Sequence, residues 1–576
     1  MCCLSENNSP CNKKGDGISV KRRITACLGS HNKKRKVIEM KLKKKQKSKN
    51  QIIAESFTPI EQFTSTAYLF MMLLVFPLYV KNQYQGIGDA KYQLFFVSTL
   101  MFLGISVFIH GIKKILEQKE ENKVFTIKKE NFSVLDLCVF SYGLLVLFSF
   151  IFSDYKDYAL KGATGWEMGL ISQMMFIGIY FFLSRQRVQP MYLLTFHLIG
   201  SFFTFLLGIL HRFQIDPLGM YEGLNLTQMT EFLSTIGQAT WYSSYICTVF
   251  PIGLVLFFVV KERKWRIPLF IYNGVSFGIV VTQNSDSAFI ALAGILVLLA
   301  LFSCKKREYW MNFWEIMMLM WGTFVGIGLL QRIFVNKAIP LEAISLFFSQ
   351  SIFSMAMLAV SILCYLLSRK ISESQMQTVM KITRLVIKAG MVSVVFLLPV
   401  IILFVYWNTT GRLMEWFGFQ SSNNYLFFDM NWGNKRGVSW MLAWQEFVNM
   451  PILQKLFGVG PDAFSAHLYR LQENQEKLMA LHGNLRLTNA HNEYLNSLIC
   501  YGVLGLAAWI FILGKGITGF FRKAEENPLF LGFALCIIGY AGHNVFCYQQ
   551  VCCTPFLFIV LAVGESLTKQ IKSNTI

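Results

Sequence analysis

A histidine and several short polar side chains lie in residues 488–495, directly before the long apolar run of residues 495–514. This order places a titratable ring, His491, at the mouth of a membrane helix. Asn489 or Asn492 can cap that helix, because a short side-chain acceptor satisfies first-turn N–H groups that have no partner. The positive end of the helix dipole favours both a neutral imidazole and a bound anion. The pattern predicts a base beside a phosphate; a membrane-interface histidine without chemistry is the alternative.

Basic side chains share the polar connection with His491. Lys435 and Arg436 lie just before a predicted amphipathic helix, and Arg486 lies five residues before the histidine. A guanidinium is suited to phosphate because its planar fork makes paired hydrogen bonds and stays charged at any working pH. We therefore predict Arg436 beside His491, with Lys435 and Arg486 as further anion contacts. A solvated charge is the alternative for each of them.

The composition is that of a membrane protein. Of 576 residues, 54% are hydrophobic and 15% aromatic, and the apolar residues form long blocks. A bilayer core of roughly 30 Å needs about 20 helical residues, and about fourteen uncharged runs approach that length. The sequence predicts an all-α polytopic membrane protein with about 12–14 transmembrane helices and one long extracytoplasmic loop that contains amphipathic helices.

Lysine and arginine cluster in alternate connections, which is typical of the cytoplasmic side. We therefore expect both termini in the cytoplasm of a multi-pass protein of the cytoplasmic membrane. Four regions follow. They are a basic disordered cytoplasmic tail (1–62), an N-terminal transmembrane bundle (63–407), a large extracytoplasmic loop with the catalytic motifs (408–494), and C-terminal transmembrane helices with a short cytoplasmic tail (495–576). For the tail, contact with anionic lipid is favoured over nucleic-acid binding.

Two amphipathic helices are expected in the long loop. The first carries Trp440, Trp444, Phe447 and Val448 at helical spacing and stops at Pro451. A tight turn over residues 458–464 then opens the second, which ends at Gly483. Its shared apolar face comprises Phe464, Leu468, Leu471, Leu478 and Leu481. We expect both helices to lie on the membrane and to cover the outer ends of the spans.

The thirteen cysteines indicate neither a disulfide framework nor a metal site. No CxxC pair and no Cys/His cluster at zinc spacing is present, and the long loop has no cysteine. A disulfide among Cys547, Cys552 and Cys553 stays open at this stage. We expect no metal and no cofactor.

Several of these pieces together resemble a known family. The pieces are Arg436 with Trp440 four residues later, Leu-Phe-Gly-Val-Gly-Pro at 456–461, His-Asn-Glu-Tyr-Leu at 491–495 and Gly-Val-Leu-Gly-Leu at 502–506. They resemble the O-antigen ligase and polymerase superfamily of bacterial membrane glycosyltransferases. Shorter pieces at 159–162, 169–170, 216–219 and 234–238 agree, so the resemblance covers about residue 153 to the end.

The resemblance implies transfer of a glycan from an undecaprenyl diphosphate carrier to an acceptor hydroxyl, outside the membrane and without a metal. The acceptor is a glycan, a lipid or a wall polymer, and nucleic acid is not a partner. A neutral histidine with a pKa of roughly 6 to 7 is suited to take the hydroxyl proton. The predicted catalytic residues are His491 and Arg436. The predicted substrate-binding residues are Arg212, Lys435, Trp440, Arg486, Asn492 and Glu493.

The chain also departs from the family at two places. Trp166 stands where ligases often carry arginine, and Asn-Ser-Asp-Ser at 284–287 replaces a Ser-Arg pair. We assign part of the missing charge to Arg212, with an interfacial anchor as the alternative. Other functions stay open: a repeat-unit polymerase of the same superfamily, a polysaccharide exporter or flippase, and an inactive scaffold of envelope assembly.

Overall fold

The fold is helical almost throughout. The computed structural model describes residues 53, 55–121, 132–165, 167–187, 189–423 and 425–575. Most of the predicted basic tail (1–62) and Trp166 lie outside the described residues, so the expectations for them stay predictions.

The first half of the chain runs from α1 to α13. In order these are α1 (Thr58–Phe70), a π-helical turn (Met71–Val75), α2 (Phe76–Leu78), α3 (Ile87–Glu121), α4 (Val134–Phe152), α5 (Lys156–Lys161), α6 (Leu170–Leu183), α7 (Pro190–Arg212), α8 (Leu226–Glu231), β1 (Phe232–Leu233), β2 (Gly237–Gln238), α9 (Ala239–Val249), α10 (Pro251–Val259), α11 (Arg263–Thr282), α12 (Ser287–Ser303) and α13 (Arg307–Ile333). The two strands pair antiparallel.

The second half carries α14 to α24. These are α14 (Ala343–Gln350), α15 (Ile352–Lys370), α16 (Glu373–Thr409), α17 (Arg412–Phe417), α18 (Trp432–Asn449), α19 (Ile452–Phe457), α20 (Phe464–Leu468), α21 (Gln472–His482), α22 (Glu493–Lys523), α23 (Leu529–His543) and α24 (Thr554–Thr575).

The predicted fold class is confirmed. Nine helices within the described ranges are long and apolar enough to cross a membrane, and α6, α12 and α23 are shorter apolar helices. The bilayer core offers no water to hydrogen-bond the backbone N–H and C=O groups of a spanning segment. An α-helix pairs these groups with each other within the segment. The chain is therefore an all-α, multi-pass membrane protein.

One predicted span differs from the structure. The run 346–367 is broken at Ser351, which has an extended backbone between α14 and α15. Arg332 fixes this break, since its guanidinium donates to the carbonyl and the side-chain oxygen of Gln350, at 2.9 and 3.2 Å. The predicted span 391–407 is the last part of α16, whose 37 residues extend about 55 Å.

The described residues form two compact units. The smaller comprises the described residues within 53–60 and 109–121, in which Lys113 donates to Thr58 at 3.4 Å. The larger comprises the described residues within 61–108 and 132–575. In the larger unit α23 is buried along most of its length, and Trp509 of α22 packs against Tyr142 and Tyr540 with ring centroids 5.4 and 6.3 Å apart.

The first amphipathic helix is confirmed as α18. It buries Leu442, Ala443 and Glu446, while Trp444 and Val448 are 58% and 52% exposed. An exposed apolar stripe of this kind suits a membrane surface; contact with lipid stays a prediction.

The second amphipathic helix is two helices rather than one. Side chains stop α20, because Asn474 donates to the carbonyl of Leu468 and Gln475 to the carbonyl of Tyr469, at 3.2 and 2.6 Å. These bonds satisfy terminal carbonyls that would otherwise continue the helix. Leu471 therefore has an extended backbone and is exposed, which corrects the predicted continuous face.

Buried Glu446 fastens both short helices to α18. Its carboxylate accepts from Arg470 and Asn474 at 2.9 Å each, and His467 lies 3.4 Å away. Cys547, Cys552 and Cys553 are free, so no disulfide forms among them.

Candidate functional site

His491 lies just before α22, as the polar cluster predicted. Asn492 is the N-cap, and its side-chain oxygen accepts from the N–H of Leu495 at 3.0 Å. Asn489 instead accepts from the N–H of His491 itself, at 3.0 Å. His491 has a left-handed backbone, with φ of 48°. Its ring packs edge-on against Tyr548 at 5.3 Å between centroids, and Nδ1 is buried with no hydrogen-bond partner in the described chain.

The His491 imidazole is neutral across the working range of pH. Burial lowers its pKa to about 3, and the positive charge of Arg436 and the nearby His482 act in the same direction. The expected value of 6 to 7 is therefore too high for the protein without its substrate. The cause is general, since both desolvation and a like charge disfavour the imidazolium.

Arg436 reaches the site because the chain turns sharply before it. Gly433, Asn434 and Lys435 all have left-handed backbones, after which α18 proceeds regularly. The guanidinium donates to the carbonyl of Gly433 at 3.2 Å and lies 5.9 Å from the ring centre of Phe546. Burial lowers the pKa of Arg436, an effect that nearby acidic groups oppose. A guanidinium keeps its charge despite such a shift.

Trp440 joins this helix to the His491 segment. Its indole Nε1 donates to the carbonyl of Ala490 at 3.0 Å, and the Ser439 hydroxyl lies 3.3 Å from the same oxygen. The Trp440 ring stacks on Phe546 at 5.8 Å between centroids. Since Arg436 also lies over Phe546, one aromatic ring supports both functional side chains of α18.

The two glycine-containing motifs contact each other. Gly502 has a left-handed φ of 69°, which interrupts α22 and frees the carbonyls before it. The N–H groups of Val459 and Gly460 donate to the carbonyls of Ile499 and Cys500, at 3.0 and 3.1 Å. A Cβ at residue 458 would lie 2.2 Å from the Cys500 carbonyl oxygen, so only Gly458 permits this approach.

Asp462 connects the same turn to residues 162–168. Its carboxylate accepts from the N–H groups of Ala163 and Met168 at 2.8 and 3.3 Å. Burial raises the pKa of Asp462 to about 7, although these hydrogen bonds oppose the shift. With Glu493, Asn489 and Tyr548, among others, it lines a small cavity.

A second group of charges lies near Arg436. Asp286 precedes α12 and Glu342 precedes α14, and the N–H of Glu342 donates to the side chain of Asn284 at 2.8 Å. Burial raises the pKa of both carboxyls, and Arg436 opposes the shift in each. The negative charge of Asp286 raises the pKa of the Glu342 carboxyl further.

Arg212, at the end of α7, belongs to this group. It is fully buried, and its Nε donates to the carbonyl of Thr282 at 2.7 Å. Neither terminal amino group, Nη1 nor Nη2, has a hydrogen-bond partner among the residues that the structure describes. The backbone oxygen of Arg212 accepts from Ile339 at 2.8 Å, which fixes the loop that carries Glu342.

Residues 338–510 match the family described as O-antigen ligase. This match supports the resemblance to the O-antigen ligase superfamily over that part of the chain. The matched region contains Arg436, Trp440, Glu342 and His491, whereas Arg212 and Asp286 precede it. A comparison with curated proteins finds no match.

Two of the predicted substrate-binding residues are engaged by the protein itself. Buried Glu493 accepts from the Ser497 hydroxyl and the N–H of Gln549, both at 2.7 Å. Asn492 is occupied as the helix cap. The contacts give both residues a positioning role at His491, and direct contact with substrate stays a prediction.

Two of the predicted basic contacts have partners elsewhere in the loop. Lys435 donates to the carbonyl of Leu481 at 2.6 Å, near the end of α21, where a cation is favoured by the helix dipole. Arg486 donates to the Ser465 hydroxyl at 2.9 Å and lies over the ring of Tyr469. Neither contact involves His491 or Arg436.

A second histidine, His543, is affected by the charge of Arg436. It is fully buried at the end of α23, and neither ring nitrogen has a hydrogen-bond partner within the described ranges. The Arg436 charge acts on it as well as on His491. The sequence signal was Gly-His-Asn at 542–544, but no local pattern links it to the loop. Asp286 and Glu342 were missed because each lies in a different connection.

Proposed function

We propose that this protein is a membrane glycosyltransferase that moves a glycan from an undecaprenyl diphosphate carrier to an acceptor hydroxyl. The family match indicates an enzyme of polysaccharide biosynthesis. The observation that carries the finer proposal is the pairing of His491 with Arg436. A neutral imidazole with an unpartnered buried nitrogen lies close enough to the partly buried Arg436 guanidinium to be affected by its charge. This combination suits a proton acceptor next to an anionic leaving group.

In the proposed reaction the acceptor oxygen attacks the anomeric carbon of the donor glycan. The bond from that carbon to the diphosphate oxygen breaks, and its electron pair stays on the diphosphate. Arg436 and Arg212 stabilise this developing charge, because their donors are fixed before the reaction begins. The hydroxyl proton passes to Nδ1 of His491, and the imidazolium later releases it to solvent.

Donor binding prepares the base in this scheme. The pKa of His491 is about 3 because of burial and the Arg436 charge. A bound diphosphate brings negative charge beside both groups, which raises the imidazole pKa. The base therefore gains proton affinity only when the leaving group is present.

The other predicted residues take supporting parts. Trp440 and Asn492 hold the His491 segment through the hydrogen bonds to Ala490 and Leu495. Glu493 joins that segment to Gln549. Lys435 and Arg486 hold the loop in place through their contacts with Leu481 and Ser465. Their predicted contact with the anion is secondary in this scheme.

The site faces the outside of the cytoplasmic membrane in this proposal, with both termini in the cytoplasm. The basic connections that alternate along the chain support this orientation. Arg185 and Lys569 support it further, since both pair with Asp136 at 3.2 and 3.0 Å at one end of α4. Cations gathered at one end of the bundle are typical of the cytoplasmic side.

An exporter is less well supported, since transport routes are lined by charged side chains within spans. Two buried charges in the spans are engaged by the fold instead. Lys91 donates to the carbonyls of Phe76 and Pro77 at 2.5 and 3.1 Å, and Asp136 is held by its two ion pairs.

The test is turnover by the purified full-length protein in detergent with EDTA present. An undecaprenyl diphosphate glycan is supplied with candidate acceptor polysaccharides, and free undecaprenyl diphosphate is measured. We expect the carrier to be released only when an acceptor is present. Turnover that EDTA abolishes and Mg²⁺ or Mn²⁺ restores would contradict the metal-free reaction, and absence of turnover with every acceptor would contradict the transferase.

A further inference from the structure

Four aromatic side chains lie together beside Arg436. Trp432 packs against Trp440 and Phe428, with ring centroids 5.0 and 5.4 Å apart, and against Phe546 at 6.3 Å. The Arg436 guanidinium lies 5.9 Å from the centre of the Phe546 ring. All four aromatic residues are half-buried, so each keeps part of its surface accessible. We call these four residues the aromatic cluster.

The cluster forms because residues 428–432 fold back onto the start of α18. The N–H of Val438 donates to the carbonyl of Met430 at 3.1 Å. A Cβ at residue 437 would clash with the carbonyl oxygen of Asp429, so Gly437 permits the close approach of the two segments. Backbone contacts therefore hold the rings together before any ligand binds.

The indole N–H of Trp432 distinguishes this surface from a purely apolar one. Trp440 donates its own N–H to a backbone carbonyl, whereas that of Trp432 has no hydrogen-bond partner in the described part of the chain. The neighbours Asn431, Asn434 and Lys435 are polar and exposed. A half-exposed tryptophan with a free N–H suits a ligand that has both an apolar face and hydrogen-bond acceptors. An isoprenoid chain has no acceptor for this N–H.

A sugar ring has the required combination. Its C–H groups form apolar faces that stack on aromatic rings, and the hydroxyl groups at its rim accept hydrogen bonds. In the proposed reaction the first sugar of the donor is bonded directly to the diphosphate, so it lies beside the guanidinium that binds the diphosphate. Phe546 contacts both Arg436 and the other rings, which makes the cluster continuous with the diphosphate site.

We propose that the aromatic cluster is the stacking surface for the donor sugar that is bonded to the diphosphate. This inference rests on the proposed function and adds the place where the reacting end of the glycan binds. Trp432 supplies a ring face and the free N–H, and Phe428 and Phe546 extend the apolar surface. A sugar held in this way keeps its anomeric carbon next to the leaving group.

The experiment compares two ligands of the full-length protein in detergent, without an acceptor. One is undecaprenyl diphosphate that carries a single N-acetylglucosamine. The other carries a methyl group in place of the sugar, so that both diphosphates have the same charge. We expect the sugar to tighten binding about tenfold, since stacking on an aromatic ring contributes a factor of about this size. Equal dissociation constants for the two carriers in the unaltered protein would overturn the proposal without any variant.

Variants of Trp432 locate the effect. Trp432→Leu should remove most of the preference for the sugar and leave binding of the methyl carrier unchanged. Trp432→Phe keeps a ring and loses the N–H, so it should retain part of the preference. Trp416→Leu is the control, because Trp416 is an exposed tryptophan of α17 outside the cluster. A preference that survives Trp432→Leu, or equal weakening of both carriers, would contradict the stacking surface; the second result would indicate contact with the isoprenoid chain or a structural role.

Arg436→Ala separates this inference from the proposed function. Loss of the guanidinium should weaken binding of both carriers, because both contain the diphosphate. Unchanged binding of both carriers in this variant would contradict the proposed function. The preference for the sugar in the unaltered protein and its loss in Trp432→Leu test the aromatic cluster alone.

Discussion

The indole of Trp440 donates a 3.0 Å hydrogen bond to the carbonyl of Ala490, the residue directly before His491. This contact joins two motifs that are 50 residues apart. Arg436 lies one helical turn before Trp440, so the position of the guanidinium and that of the imidazole are set by the same helix. The arrangement explains why both motifs are needed to form one site.

We expect Trp440→Phe to lower the rate of glycan transfer by up to about tenfold, because one buried hydrogen bond contributes about 0.5–1.5 kcal/mol. The aromatic contact with Phe546 is kept in this variant. Trp444→Phe is the matched control, since Trp444 lies on the exposed face of the same helix. The measurement is the steady-state rate of glycan transfer by both variants. An equal loss of rate in both would show that Trp440 does not position His491.

Arg436→Lys should impair transfer nearly as much as Arg436→Ala. A lysine keeps the charge but loses the planar fork that grips a diphosphate through paired hydrogen bonds. The measurement is kcat/KM for the lipid-linked donor in the two variants. Full activity of the lysine variant would reduce Arg436 to a point charge.

The pH profiles of kcat and kcat/KM should differ. In the free protein the pKa of His491 is about 3, so the base is neutral above that pH and kcat/KM should not fall through its titration between pH 8 and 5. The bound diphosphate raises the imidazole pKa, so the acid limb of kcat should lie at higher pH. An acid limb of kcat/KM near pH 6.5 that disappears in His491→Gln would show an unperturbed histidine.

The orientation can be tested at Ser422, which is exposed in the connection between α17 and α18. A cysteine placed there should react with a membrane-impermeant thiol reagent in protoplasts or in cells whose outer membrane has been permeabilised. The native cysteines require a control without Ser422→Cys. Protection of the new cysteine until the cytoplasmic membrane is lysed would reverse the proposed orientation.

Local patterns were sufficient to predict α18 and the cap of α22. Apolar residues at helical spacing are followed by Pro451, and Asn492 precedes an apolar run, so both features depend on near neighbours in sequence. The break between α20 and α21 was missed because bonds from Asn474 and Gln475 decide it. Those side chains reach backward across the break, against an apolar periodicity that favours one helix.

The charges of the site were predictable only in part. Arg436 and His491 lie in recognisable motifs, and Arg212 was assigned to replace a charge that the family pattern lacks here. Asp286 and Glu342 lie in two other connections and were not predicted. Their approach depends on tertiary contacts such as the bond between Ile339 and Arg212. The position of His543 also depends on tertiary contacts. Its burial and its proximity to Arg436 come from the packing of α23, and periodicity carries no information on either.

His491→Ala is the most direct test of the account, measured as single-turnover transfer from a saturating lipid-linked donor alongside donor binding. A positioned base contributes about 10²–10⁴-fold, so we expect transfer to fall by at least that range while donor binding is largely retained. His543→Ala is measured beside it as the control. We expect a much milder effect there, because His543 lies outside a polar cluster like that of residues 488–495, although the Arg436 charge acts on both rings. Near-normal transfer by His491→Ala, or inactivity confined to His543→Ala, would contradict the assignment of His491 as the base.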